Sequence, residues 1–178
     1  IPAGWRLVLT DTSEGMLAAL RQNLDSLPQL ESTATVDAQA VPYNDGSFDV
    51  VIANQMLYHV PDLDAAVSEV ARVLRPDGTL YASTVGQTNM CEFHQMLASC
   101  RSNTSQYLEQ HSIVERFSLE NGGERISRWF AEVELRLYED GLAVTEVEPL
   151  VAYAQSLPTG PEPALTGECL ERFRTLVT

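Results

Sequence analysis

Residues 45–84, DGSFDVVIANQMLYHVPDLDAAVSEVARVLRPDGTLYAST, decide the fold. Phe48-Asp49-Val50-Val51-Ile52-Ala53 is apolar throughout except at Asp49, the mark of a strand covered on both faces. After a loop through His59 and Pro61-Asp62, a helix over 62–74 places Leu63, Ala66, Val67, Val70 and Leu74 on one face. Arg75-Pro76-Asp77-Gly78 reads as a turn, and residues 79–84 as the next strand. Strand, helix and strand at this pitch predict a right-handed crossover between parallel strands.

The same alternation runs upstream. Residues 6–10 (RLVLT) predict a short strand ending at Asp11. Thr12-Ser13-Glu14 then opens a helix with a hydroxyl cap and an acid in its first turn. Met16, Leu17, Leu20, Leu24 and Leu27 recur at helical spacing until Pro28 stops them. Residues 33–36 predict a strand ending at Asp37, and Asn44-Asp45-Gly46-Ser47 a turn. The expected class is α/β, a Rossmann-like, doubly wound, mostly parallel sheet with helices on both faces. Downstream, residues 88–118 read as helical, 124–130 as a short helix and 158–163 as a Pro/Gly loop. Helices are expected at 148–157 and 165–177. Residues 131–138 (AEVELRLY) alternate apolar and charged, which predicts a strand with one wet face. One domain is expected: a core at 1–85, a helical lid at 86–130, and a C-terminal strand and helices at 131–178.

With 178 residues, 44% hydrophobic and 20% charged, the chain has the balance of an ordinary globular domain and enough length to bury a core. The 25 acidic residues face 11 basic ones, a net charge of −14, and each half carries −7 of it. All 11 basic residues are arginine. The absence of lysine excludes a Walker-type phosphate lysine, a Schiff-base lysine and a lysine base. The acidic balance argues against nucleic-acid and anionic-membrane partners. Cys91, Cys100 and Cys169 are odd in number and lack CxxC spacing, so neither a disulfide framework nor a zinc site is expected. No signal peptide and no membrane-spanning run is visible, which makes the cytoplasm the default compartment.

Three polar residues stand where parallel strands end: Asp11, Asp37 and Asn54. Ligands of open α/β sheets sit at those ends. An acid such as Asp11 can accept hydrogen bonds from both hydroxyls of a ribose; taken alone, it reads equally as an acid serving the helix terminus. Asp37 taken alone reads as a turn acid. His59 is the one histidine near this face, and it is either a general base or a brace for its loop. His94 and His111 fall in the region read as lid or core. Met90, Phe93, Met96, Trp129 and Phe130 read mainly as core, with an acceptor pocket as the sharper alternative.

Four pieces stand in a fixed order: Asp11-Thr12-Ser13-Glu14-Gly15-Met16-Leu17, Asp37-Ala38-Gln39-Ala40-Val41-Pro42-Tyr43, Asp45-Gly46-Ser47-Phe48-Asp49-Val50-Val51, and Arg72-Val73-Leu74-Arg75-Pro76-Asp77-Gly78-Thr79-Leu80. Together they resemble the class I S-adenosylmethionine-dependent methyltransferases, most closely the type 11 small-molecule group, over residues 6–85. Tyr43 stands in place of a usual Phe, and Arg75-Pro76-Asp77-Gly78 in place of Lys-Pro-Gly-Gly. Residues 86–157 resemble a narrower bacterial subgroup. The resemblance implies S-adenosylmethionine as cofactor. Asp11 would hold its ribose, and Thr12 and Met16 would line the adenine and ribose side. Asp37 would accept from the adenine amino group, with the backbone of Ala38 supporting the ring, and Gln39 would belong to the same cofactor-binding set. Asn54 would face the methionyl part. Tyr58 is the candidate for contact with the acceptor. Asp49, inside the start of its strand, is expected to be structural; burial there would require a hydrogen-bonded partner.

The implied reaction is in-line methyl transfer to a small-molecule acceptor by a monomer or homodimer. A base is needed only where the acceptor loses a proton. The family's opening strand and its glycine-rich loop (E/D-x-G-x-G-x-G) are absent, as is the usual last antiparallel strand. The chain is therefore expected to lack both ends, and the loss of the middle strand is expected to impair cofactor binding. Micromolar binding of S-adenosylmethionine by the isolated chain, measured by calorimetry, would count against that. Two other readings are a nicotinamide-dependent oxidoreductase and a non-catalytic module for dimerisation or interaction.

Overall fold

In the computed structural model, residues 2–24, 27–100, 113–157 and 165–177 are described. The first two strands, β1 (Leu7–Asp11) and β2 (Leu30–Thr35), pair in parallel through the helix α1 (Glu14–Leu24). Next, β3 (Phe48–Asn54) and β4 (Leu74–Ser83) pair in parallel through α2 (Leu63–Val73). The register sets Asp11 opposite Thr35 and Asn54 opposite Ser83, so each pair brings its carboxyl ends together.

Both crossovers follow the pattern read from the sequence. The start of α2 is fixed by Asp62, whose Oδ1 accepts from the Ala65 N–H at 3.0 Å. Its Leu63, Ala66, Val67, Val70 and Val73 are all buried, spaced to give one continuous stripe. The chain leaves the helix at Leu74 in an extended conformation, before Pro76, which disfavours helix at the residue ahead of it. In α1 the fully buried contact is Leu17, and the helix packs on β1 and β2.

The class is the expected α/β one, parallel strands with helices, as a partial fold. The strands make two separate two-stranded sheets, and no ladder joins β1 to β3 among the described residues.

The turn expected at 75–78 is an irregularity inside β4. Phe48 pairs with Leu74, then Val50 pairs with Thr79, so residues 75–78 bulge out opposite Asp49. Gly78 is required there, because a Cβ would lie 2.9 Å from Leu74 Cδ2 and 3.1 Å from the Asp49 carbonyl oxygen. The Asp49 side chain is 74% exposed and pairs with Arg75 on the bulge.

The chain divides into two compact units. One comprises Ile1–Ser83 with Ile126–Ala131, the other Thr84–Arg125 with Glu132–Thr178. In the second unit α3 (Cys91–Cys100), α5 (Val147–Ser156) and α6 (Gly167–Val177) enclose a core of Phe93, Leu97, Cys100, Leu150, Val151, Ala154, Leu165 and Phe173. A short helix, α4 (Gly122–Ile126), spans the boundary between the units. Phe93 and its neighbours Met90 and Met96 thus belong to a core, as their first reading held. The helical reading of 88–118 is met over α3; residues 101–112, with His111, and the loop at 158–163 lie outside the described residues.

Residues 131–138 form no strand. They run without regular structure, with Leu135 59% and Leu137 64% exposed. Alternation specifies a half-buried strand only where an edge and a core face receive it, and no strand lies beside this segment among the described residues.

Candidate functional site

The four strands carry polar residues at or just beyond their carboxyl ends. Asp11 closes β1, Asp37 follows β2, Asn54 closes β3 and Ser83 closes β4. Each owes its place to the strand before it, which ends where the apolar run ends.

Asp11 is half-buried. Its Oδ1 accepts from the Ser13 N–H at 2.8 Å, and its carbonyl accepts from Val36 N–H at 3.1 Å, tying the exit of β1 to the exit of β2. Ser13 is the hydroxyl cap of α1: its Oγ accepts from Met16 N–H at 3.3 Å. A carboxylate offers about four acceptor positions. Among the described residues Ser13 alone bonds to that of Asp11, leaving both oxygens able to take hydroxyl donors. Thr12 and Met16 are exposed on the same turn, Met16 at 61%.

Asp37 is exposed and engaged by one neighbour. Gln39 gives its backbone N–H to Oδ1 at 2.9 Å and its side-chain amide to Oδ1 at 3.0 Å and Oδ2 at 3.1 Å. These bonds, the backbone one first, hold the Asp37 carboxyl below the usual aspartate range. Ala38 sits half-buried in the turn closed by Ala40 N–H on the Asp37 carbonyl at 3.0 Å.

The β3–β4 half is built around Ser83. Its Oγ donates to Asn54 Oδ1 at 3.3 Å and accepts from Gln55 N–H at 3.2 Å. Gln55 takes a left-handed backbone, φ 49°, unusual for a residue with a side chain. Its Oε1 accepts from the Tyr58 hydroxyl at 3.3 Å. Tyr58 is half-buried, and that burial raises its phenol above the ordinary tyrosine range. His59 ends the short 3₁₀ turn Leu57–His59, exposed, with its ring 4.5 Å from that of Tyr58.

Two further devices escape a motif-level reading. Glu14 accepts from Thr35 Oγ1 at 2.8 Å and from Arg21 at 3.0 Å, bolting α1 to the end of β2. On α2, Glu69 and Arg72 hold the loop after Asp37. Arg72 donates to the carbonyls of Val41 at 2.9 Å and Tyr43 at 2.8 Å and to Asp45 at 2.7 Å. Glu69 accepts from Arg72 at 2.7 Å and from Val41 N–H at 2.8 Å. The i,i+3 spacing of this pair was the one available signal in the sequence. The Arg72 hydrogen bond first, then that from Val41, lower the Glu69 pKa from 4.5 to about 2. A depressed acid stabilises the fold above its unfolded pKa, and that contribution is lost as pH falls from 4.5 towards about 2. We expect Glu69→Gln to reduce the slope of stability on pH in that window by close to one proton, measured by urea unfolding at stepped pH.

Among the described residues no group of three or more His, Cys, Asp or Glu is placed to hold a metal ion, and no helix is long and apolar enough to cross a membrane.

Parallel strand–helix–strand units with acids at the carboxyl ends define the Rossmann-like class of nucleoside-binding folds. Within that class, residues 2–82 match the family described as a methyltransferase domain. That match supports kinship of this part of the chain with the S-adenosylmethionine-dependent methyltransferases. It is 39% identical over 84 residues to a malonyl-[acyl-carrier protein] O-methyltransferase of Methylococcus capsulatus, covering 46% of this chain and 30% of that one. It is 24% identical over 179 residues to a biotin biosynthesis bifunctional protein BioHC of Saccharophagus degradans, covering 93% of this chain and 32% of that one. The chain thus spans about a third of the length of these relatives. The crystal structure of the trans-methyltransferase CalH in complex with SAH shares the fold: TM-score 0.51, 19% identity, 72% of this chain and 37% of that one.

Proposed function

We propose that the chain is the nucleoside-binding part of an enzyme that moves a methyl group from S-adenosylmethionine to a small-molecule acceptor. The observation that carries this is the pair of carboxylates at the joined ends of β1 and β2, in a chain whose residues 2–82 match a methyltransferase family. Asp11 keeps acceptor positions for two vicinal hydroxyls, and Asp37 keeps one for an exocyclic amine. That chemistry suits adenosine. Thr12 and Met16 line the same turn. Asn54 faces the methionyl side, with Tyr58 and His59 on the acceptor side.

The sulfonium of S-adenosylmethionine supplies an already activated methyl group. The residues of this chain therefore bind, orient and exclude water. Holding donor and acceptor in line supplies most of the acceleration. His59 takes a proton where the acceptor carries one. A small acceptor is supported by the net charge of −14, which repels nucleic acid, and by a relative named for biotin biosynthesis.

The test is formation of S-adenosylhomocysteine from S-adenosylmethionine with a panel of carboxylate, phenol and amine acceptors. We expect turnover with a small acceptor. Methylation confined to RNA or protein would overturn the small-molecule reading.

A further inference from the structure

Gln39 makes an unusual set of bonds for one exposed-loop amide. Its Nε2 reaches both oxygens of Asp37, while its Oε1 accepts from the backbone N–H of Asp62 at 3.0 Å. Asp62 is the residue whose carboxylate starts α2. One side chain thus links the loop after β2 to the residue that begins α2. A side chain carrying donors and acceptors at one end suits this role: the donor side meets an anion and the acceptor side meets a backbone N–H.

The count of acceptor positions gives the consequence. Gln39 fills both positions of Asp37 Oδ1 and one of Oδ2. One position on Oδ2 remains, in a direction set by Gln39. An Asp side chain at an exposed turn otherwise samples several rotamers, and fixing it before a ligand arrives removes that entropy cost from binding.

We propose that Gln39 is a positioning residue for adenine recognition, holding Asp37 so that one oxygen site of Oδ2 faces the exocyclic amine. This rests on the reading of Asp37 as the adenine acceptor. Gln39 touches no cofactor atom in this account. Its effect appears as selectivity for an amine-bearing base, through Asp37. A role confined to tying the loop to α2 would lower stability and leave base selectivity unchanged.

The experiment compares S-adenosylhomocysteine with S-inosylhomocysteine, whose base carries a carbonyl where adenine has its amine. Binding is followed by two-dimensional NMR at millimolar ligand, together with the thermal midpoint of each variant. The unsubstituted chain is expected to prefer the adenine form by about tenfold, the worth of one charge-assisted hydrogen bond. Asp37→Ala should bring the ratio to near one. Gln39→Met, which keeps length and removes both donors and acceptor, should cut the ratio at least threefold, as should Gln39→Glu, which keeps the bond to Asp62 but sets an acid against Asp37.

A full ratio in either folded Gln39 variant, with the ratio lost in Asp37→Ala, overturns the proposal and leaves the Asp37 reading standing. A full ratio in Asp37→Ala overturns that reading and the proposal with it. No saturable shift with S-adenosylhomocysteine in the unsubstituted chain overturns both.

Discussion

Replacing Asp11 with alanine abolishes measurable binding of S-adenosylhomocysteine, a loss on the order of 100-fold. The magnitude follows from two charge-assisted hydrogen bonds to ribose hydroxyls, each about 1.5 kcal/mol in a half-buried site. Asp11 holds the right place for both. Its carbonyl is fixed to Val36, and Ser13 fixes one carboxylate oxygen without filling it. Asp11→Asn separates recognition from folding. An asparagine oxygen still accepts from the Ser13 N–H, so the turn leading into α1 is kept, but the charge is gone. Its binding should fall about tenfold while the thermal midpoint stays close to that of the parent. NMR titration checks both variants, and unchanged binding in Asp11→Ala would contradict the assignment.

Truncating Phe173 to alanine should have the largest effect on stability, about 3–5 kcal/mol. The ring is fully buried on α6 and meets Phe93 of α3 edge to face, with centroids 6.1 Å apart and planes at 89°. Leu97, Leu150 and Val151 share that core, so removing the ring opens a cavity that three helices border. Amide exchange is the appropriate measure: protection in α3, α5 and α6 should drop together. A loss confined to α6 would show that these helices do not share one core.

Residues 45–84 made the fold legible because they carry three agreeing signals: a continuous apolar strand, a capped amphipathic helix and a stop at Pro76. Ser13 was readable as a cap because capping is a local contact within one turn. The strand expected at 131–138 failed for the opposite reason. Alternation reports a preference for a two-sided setting, and the setting itself lies elsewhere in the chain. The exposure of Asp49 was not legible, because it depends on a bulge across the ladder, at residues 75–78.

The site divides in the same way. Asp11, Asp37 and Asn54 announce themselves, since a polar residue ending an apolar run stands out. The supports do not. Gln39 bridges 23 positions to Asp62, and Arg72 bridges 29 to Tyr43. Such bonds depend on how the crossovers fold back, which no spacing rule states. The left-handed turn at Gln55 had no marker, because glycine or asparagine would normally signal it.

The central claim is that these strand ends recognise adenosine carrying a sulfur-linked amino acid. Thermal unfolding with 5 mM S-adenosylhomocysteine, compared with 5 mM NAD, tests it most directly. Binding to the folded state alone raises stability by RT ln(1 + [L]/Kd). For a Kd on the order of 500 µM, that amounts to about 1.4 kcal/mol, a rise of several degrees. We expect that rise with S-adenosylhomocysteine and a smaller one with NAD, which shares the adenosine but lacks the sulfur-linked amino acid. An equal or larger rise with NAD, or no response to either, would contradict the account.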